Sequence, residues 1–199
     1  MSHQHYILWQ IECNEIPILE ITKEVEDVFI GSDVRYDDIT ILLKALVMNQ
    51  SIRTIRFEGD FLDCLQEERR SEVIRVVGSY LPSLHEICLG DSPIFVTDLC
   101  DLITKSKALR VLNLHDLVLQ GQPEDFHALE TALLQHPSIK EFEMNECNSA
   151  IPGIDLDNIS IKNAGQRRNR LQTNVVHNLM LPPLSPLLAK KRLSVAKSA

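Results

Sequence analysis

A six-residue pattern of apolar side chains recurs along this 199-residue chain. Written as apolar-x-x-apolar-x-apolar, it occurs at Val25/Val28/Ile30, Ile52/Ile55/Phe57, Leu84/Ile87/Leu89, Leu109/Leu112/Leu114 and Ile139/Phe142/Met144, with a weaker copy at Leu156/Ile159/Ile161. The starts of the five clear copies are separated by 27, 32, 25 and 30 residues. Such self-similarity predicts a repeat protein, in which each unit buries its apolar face against its neighbours.

Segments with helical spacing lie between these copies. The first follows the i, i+3, i+4, i+7, i+8 spacing of an amphipathic helix, with Ile39, Leu42, Leu43, Leu46 and Val47. Further helices are predicted over roughly residues 67–80, 97–105 and 124–135. Two of the turns after these helices hold a proline at the same place, Pro82 and Pro137, and proline stops a helix because it lacks the N–H. Helix and short strand therefore alternate, which predicts an α/β fold.

The copy at residues 139–147 is the most informative about family. It reads Ile139-Lys140-Glu141-Phe142-Glu143-Met144-Asn145-Glu146-Cys147 and fits L-x-x-L-x-L-x-x-N/C. Over roughly residues 25–161 the chain thus resembles a divergent, irregular leucine-rich repeat protein of the ribonuclease-inhibitor-like type. The resemblance implies a solenoid with short parallel strands on a concave face and helices on the convex face. A compact doubly wound α/β domain would also alternate strands with helices and is the alternative.

Three regions are predicted: an N-terminal cap at 1–24, the repeat domain of about five to six units at 25–166, and a basic, partly disordered tail at 167–199. In the cap, residues Tyr6 to Cys13 are predicted to form a strand, with Trp9 covering the first repeat. The net charge changes sign near the predicted boundary between the repeat domain and the tail. Residues 1–157 contain all 28 acidic and 12 of the 20 basic residues, a net charge of −16, whereas the remaining segment has eight basic residues and no acid.

The sequence also bears on compartment and chemistry. No basic, apolar leader and no run of about 18 apolar residues is present, so we expect a cytoplasmic protein, or a nuclear one, without a membrane span. Five cysteines without metal-site spacing predict reduced thiols rather than disulfides. The glycines stand singly, with no phosphate-binding loop. We therefore expect no metal, no cofactor and no small-molecule substrate.

One cysteine and one histidine could in principle form a nucleophile and its base. Strand alternation directs Cys88 and His115 to the same face of neighbouring strands. Their positions are diagonal, about 7 to 8 Å apart, which is too far for a hydrogen bond without rearrangement. No catalytic residue set is predicted, and the chain is expected to be non-enzymatic.

The positions that alternate with the strand cores define a candidate binding face. With the one residue that follows each strand, these positions number 24, of which eight are acidic and two are basic, whereas the chain-wide frequency of 28 acids in 199 residues gives about three. Phe29, Val111 and His115 are possible anchors for a partner. The predicted partner-binding residues are Asp27, Phe29, Arg56, Glu58, Glu86, Asp91, Val111, His115, Asp116, Glu141, Glu143 and Glu146.

These features favour a protein-interaction scaffold whose acidic face binds a basic protein partner. Solvated strand charge that keeps the sheet soluble is the other interpretation of the same residues. Two further alternatives are a small α/β enzyme of unknown reaction and a regulatory or targeting subunit that acts through its basic tail, which could also contact the acidic face. Nucleic acid is disfavoured as a partner because the body of the chain is strongly acidic.

Overall fold

Short strands alternate with helices throughout the part of the chain that the computed structural model describes, which is residues 3–21, 36–57, 61–159 and 162–166. The chain divides into two compact units, Met1–Ala164 and Gly165–Ala199, and the elements below belong to the first. The predicted domain limits after residues 24 and 166 stay predictions.

Five helices and eight strands make up the described architecture. The helices are α1 (His3–Glu12), α2 (Tyr36–Met48), α3 (Glu67–Tyr80), α4 (Val96–Lys105) and α5 (Pro123–Gln135). The strands are β1 (Ile18–Ile21), β2 (Thr54–Phe57), β3 (Glu86–Gly90), β4 (Pro93–Phe95), β5 (Val111–His115), β6 (Val118–Gln120), β7 (Glu141–Asn145) and β8 (Asn148–Ser149). Helical residues also occur at 156–159 and, extending into the second unit, at 162–166.

All strand pairs in the two sheets are parallel. The larger sheet has the order β1-β2-β3-β5-β7, and a smaller one has the order β4-β6-β8. Because strand–helix–strand connections are right-handed, this sequential order places the connecting helices on one face of the sheet. The predicted α/β class is confirmed. A doubly wound domain reverses its strand order and carries helices on both faces, so that alternative was wrong.

The core lies between the larger sheet and its helices. Every second strand residue is buried, as in β5, where Leu112 and Leu114 are 0% and 1% exposed. The helices bury one face each, for example Leu99, Leu102 and Ile103 of α4. Burial of one such side chain contributes about 1.5 to 3 kcal/mol. The apolar spacing found in the sequence is thus the spacing of the core.

Polar side chains that follow three of the helices donate hydrogen bonds to backbone carbonyl groups of the preceding helix or of the turn after it. Asn49 follows α2 and donates from Nδ2 to the carbonyl oxygen of Ile11, 2.6 Å away. Ser106 follows α4, and its hydroxyl donates to the carbonyl oxygen of Gly78 at 3.4 Å. His136 follows α5, and its Nε2 donates to the carbonyl oxygen of Ser106 at 3.1 Å. All three residues are buried, so these contacts satisfy backbone groups that water cannot reach.

The ends of the repeat differ from the prediction. Residues 3–12 form a helix rather than a strand, because Leu8 and Ile11 are buried at helical spacing. Trp9 is 44% exposed, and its predicted role in covering the first repeat stays a prediction. The first strand of the sheet is residues 18–21, and the first predicted copy, at Val25 to Ile30, lies outside the described residues. Leu156 and Ile159, predicted in a strand, are helical.

Candidate functional site

One face of the five-stranded sheet carries the side chains that alternate with the core, and we call it the open sheet face. The strand register aligns its residues in rows, and those of the first two rows are partly or fully exposed. The first row is Ile18, Thr54, Glu86, Val111 and Glu141. The second row is Glu20, Arg56, Cys88, Asn113 and Glu143.

Arg56 neutralises the acids on one side of this face. Its guanidinium nitrogens lie 2.8 Å from Oε1 of Glu20 and 3.0 Å from Oε1 of Glu86, on the strands to either side. The hydrogen bond with Glu86 and the charges of both carboxylates raise the pKa of Arg56, although desolvation opposes them. Each pair contributes about 0 to 1 kcal/mol because the side chains are substantially exposed. Glu86 is therefore already paired within the fold.

The other end of the open sheet face, near β5 and β7, carries acidic side chains that no basic residue neutralises within the described residues. Glu141 and Glu143 lie on β7, the last strand of the sheet, and are exposed. Asp116 and Glu146 follow β5 and β7 and are exposed as well. Within the described residues, none of these four carboxylates forms an ion pair. We call this set, Asp116, Glu141, Glu143 and Glu146, the acidic end of the open sheet face.

The backbone turns sharply where three strands end. Asp91, Asp116 and Glu146 each follow a strand and have φ values of 51°, 51° and 54°. The N–H of Asp116 donates to the carbonyl oxygen of Asn145 at 3.0 Å, so the ladder of hydrogen bonds continues into the turn. Aspartate tolerates this left-handed conformation better than most residues, whereas glutamate rarely adopts it. The turn thus accounts for the aspartates but not for Glu146.

Cys88 and His115 are in contact, contrary to the prediction. The distance from Sγ of Cys88 to Nδ1 of His115 is 3.7 Å, within the range of a sulfur hydrogen bond. His115 leans across its direct neighbour Gly90, which lacks the Cβ that would block it: a Cβ there would lie 2.7 Å from both Cδ2 and Cε1 of the imidazole. The predicted distance of about 7 to 8 Å applies to side chains that project perpendicular to the sheet. Glycine at position 90 makes the closer approach possible.

Two other thiols lie in environments that keep them protonated. Burial raises the pKa of Cys100 to about 11, and the charges of Asp125 and Asp101 act in the same direction. Burial also raises the pKa of Cys147. Cys13 and Cys64 are exposed. None of the five cysteines forms a disulfide in the structure, all five lying in its described part.

The predicted partner-binding residues divide into three groups. Arg56, Glu86, Val111, His115, Glu141 and Glu143 lie on the open sheet face, and Asp91, Asp116 and Glu146 lie in the turns at its edge. Asp27, Phe29 and Glu58 lie outside the described residues. The prediction missed Glu20, because residues 18–21 were assigned to a cap; the alternation of Leu19 and Ile21 with Glu20 was the available signal.

The described residues outside the open sheet face also form a pocket. Between α3 and β4 lies a shallow pocket lined by Glu67, Glu68, Ser71, Glu72, Arg75 and Phe95. No group of three metal-ligating side chains occurs in the described ranges. In the same ranges, no helix combines the length and apolar character needed to cross a membrane.

Comparison with known proteins identifies similar folds. No protein-family model matches the sequence, and no curated protein matches it. The solved structure of Leiomodin-1 Actin-Binding Site 2 superimposes with a TM-score of 0.61 at 8% identity, covering 90% of this chain and 97% of that chain. A tropomodulin C-terminal domain from Caenorhabditis elegans gives 0.58 at 9% identity, covering 88% and 99%. At these identities the likeness is one of fold alone.

These neighbours overturn the predicted resemblance to ribonuclease-inhibitor-like leucine-rich repeat proteins, and with it the predicted solenoid. The apolar-x-x-apolar-x-apolar pattern requires only a turn followed by a strand that buries alternate residues. Any parallel sheet with helices on one face meets that requirement. The pattern therefore predicted β2, β3, β5 and β7 correctly without specifying the family.

Proposed function

We propose that this chain is a non-enzymatic protein-binding domain, and that the acidic end of its open sheet face contacts a basic segment of a protein partner. The observation that carries the proposal is the absence of ion pairs at Asp116, Glu141, Glu143 and Glu146 within the described residues, beside acids that Arg56 pairs on the same sheet. Carboxylates without an ion pair inside the domain remain available to lysine or arginine side chains of a partner.

The arrangement of these acids has an energetic cost that binding would offset. Asp116 and Glu146 occupy equivalent turns after neighbouring strands, which run about 4.8 Å apart. Glu141 and Glu143 lie two residues apart on one strand, about 7 Å. Like charges at such spacing repel each other, although water and salt screen the repulsion between exposed groups. A basic partner segment would relieve this repulsion, and the local field would speed its encounter with the face.

The fold likeness suggests a first protein to test. One similar structure is described as an actin-binding site, which makes actin a candidate partner of this chain. The likeness does not carry over residue contacts at 8% identity, so actin enters as a probe beside a lysine-rich peptide. The peptide tests the charge requirement, and actin tests the kind of partner.

Charge reversal of the acidic end tests the proposal. The variant Glu141→Lys/Glu143→Lys/Glu146→Lys is expected to bind a fluorescent lysine-rich peptide about tenfold more weakly than the unchanged chain at low salt, a loss of about 1.4 kcal/mol. The loss should shrink at high salt because exposed charges are screened. Fluorescence anisotropy measures the peptide, and co-sedimentation measures binding to actin filaments.

A matched control changes the same net charge elsewhere. Asp63, Glu67 and Glu124 are exposed acids outside the sheet, and their replacement by lysine should leave binding within about twofold. Equal losses in both triple variants would mean that only net charge matters. Unchanged binding in the sheet variant, together with increased aggregation, would favour the interpretation that these acids keep an edge strand soluble.

A further inference from the structure

The open sheet face contains a thiol with two nitrogen-bearing neighbours. Cys88 lies on the central strand β3, directly beside Arg56 on β2. The imidazole of His115, on β5, reaches it from the other side, with Nδ1 at 3.7 Å from the sulfur. Cys88 is partly exposed.

We propose that Cys88 is a modification site for low-molecular-weight disulfides such as glutathione disulfide, with His115 as the base that accepts its proton. A thiolate, not a thiol, attacks a disulfide, and a neighbouring base or cation raises the fraction of thiolate. The Arg56 guanidinium interacts electrostatically with the Cys88 sulfur and provides the neighbouring cation. This site is independent of the proposed partner.

The reaction balances without a further oxidant. The Cys88 proton passes to Nδ1 of His115, and the thiolate attacks one sulfur of glutathione disulfide. The S–S bond of that reagent breaks as the bond between Cys88 and glutathione forms. The second glutathione leaves as a thiolate and takes the proton from His115. Cys88 is oxidised to the mixed disulfide while one glutathione is reduced.

Gly90 provides a way to test His115 without touching the cysteine. Its Cβ position is occupied by the imidazole, so Gly90→Ala must displace the ring from its place against Cys88. The φ of Gly90 is not in the left-handed region, and the substitution strains no backbone. The variant His115→Phe removes the base while keeping a planar ring. Asn145→Ala, which alters the residue beside His115 on β7, serves as the matched control.

The experiment treats the full chain with glutathione disulfide at pH 7 and follows each cysteine by mass spectrometry. Cys88 is expected to react about fivefold faster than the exposed Cys13, since a larger thiolate fraction outweighs the lower nucleophilicity of a less basic thiol. Gly90→Ala and His115→Phe should each lower the Cys88 rate to within about twofold of Cys13, and Asn145→Ala should retain the fast rate. Thermal unfolding confirms that each variant is folded.

Two results would overturn the proposal. A Cys88 rate within about twofold of the Cys13 rate in the unchanged chain would show that the thiol is ordinary. A fast rate that survives in both folded variants, Gly90→Ala and His115→Phe, would show that the imidazole does not accept the proton.

Discussion

Replacing Asn49 with alanine is expected to lower the free energy of unfolding by about 3 kcal/mol. Asn49 is 0% exposed. Its Oδ1 accepts hydrogen bonds from the backbone N–H groups of Ser51 and Ile52, at 2.9 and 2.8 Å, and its Nδ2 donates to the carbonyl oxygen of Ile11. Alanine leaves these groups without that partner, and an unsatisfied buried group costs about 1 to 3 kcal/mol.

Urea unfolding followed by circular dichroism measures this effect. Gln50→Ala is the control, because Gln50 is the exposed next residue, and it should change stability by less than about 0.5 kcal/mol. A loss below about 1 kcal/mol for Asn49→Ala would contradict the role assigned to this side chain in joining α1 to the turn before β2.

A side chain at Gly78 is expected to push α3 and α4 apart. A Cβ at this position would lie 2.8 Å from the Cα of Leu102, a backbone atom that cannot move without its helix. Overpacking of a close-packed core costs about 1 to 3 kcal/mol, and we expect Gly78→Val to fall at the upper end, about 3 kcal/mol. The carbonyl of Gly78 also accepts the hydroxyl of Ser106, so the shift would disturb that contact too.

Thermal and urea unfolding of Gly78→Val should be compared with those of Ser79→Val. Ser79 is the exposed neighbour on the same helix, so this control introduces the same β-branched residue without the clash. The expected difference between the two variants is about 2 to 3 kcal/mol. Equal stabilities would mean that α3 and α4 are not packed as closely as the structure shows.

The sequence predicted the central units well because their apolar spacing is strict. The predicted helix at 67–80 matches α3, and the predicted strand residues Ile87, Leu112 and Phe142 are buried in the sheet. The N-terminal error has a physical cause. Residues 6–13 contain apolar side chains at both alternating and helical spacing, and a short segment does not distinguish the two. In the structure Leu8 and Ile11 are both buried, which fits the helical spacing.

The strand register also predicted most of the described open sheet face, but not its internal contacts. Alternation places Arg56 and Glu86 on one face. The ion pair of Arg56 with Glu20 was not predicted, because residues 18–21 were assigned to the N-terminal cap instead of to a strand of the sheet. The approach of His115 to Cys88 depends on the direction in which a ring leans over a glycine. Such rotamer choices follow from packing in three dimensions, and residue spacing does not encode them.

The smaller sheet was not predicted, because its strands are two or three residues long. Segments of that length carry no detectable period. They form where the left-handed turns at Asp91, Asp116 and Glu146 redirect three neighbouring strands in the same way. Asp91 and Asp116, at the same position after two strands, are a signal for these turns, whereas the prediction placed both among the partner-binding residues.

Carboxyl footprinting tests the central claim most directly. The full chain is labelled with a water-soluble carbodiimide and an amine, with and without saturating lysine-rich peptide, and in parallel with actin filaments. If the acidic end of the open sheet face is the binding surface, bound probe should protect Asp116, Glu141, Glu143 and Glu146, while the exposed Glu67 and Glu68 on α3 stay reactive. Protection of the α3 carboxylates with continued labelling of Glu141 and Glu143 would contradict the account.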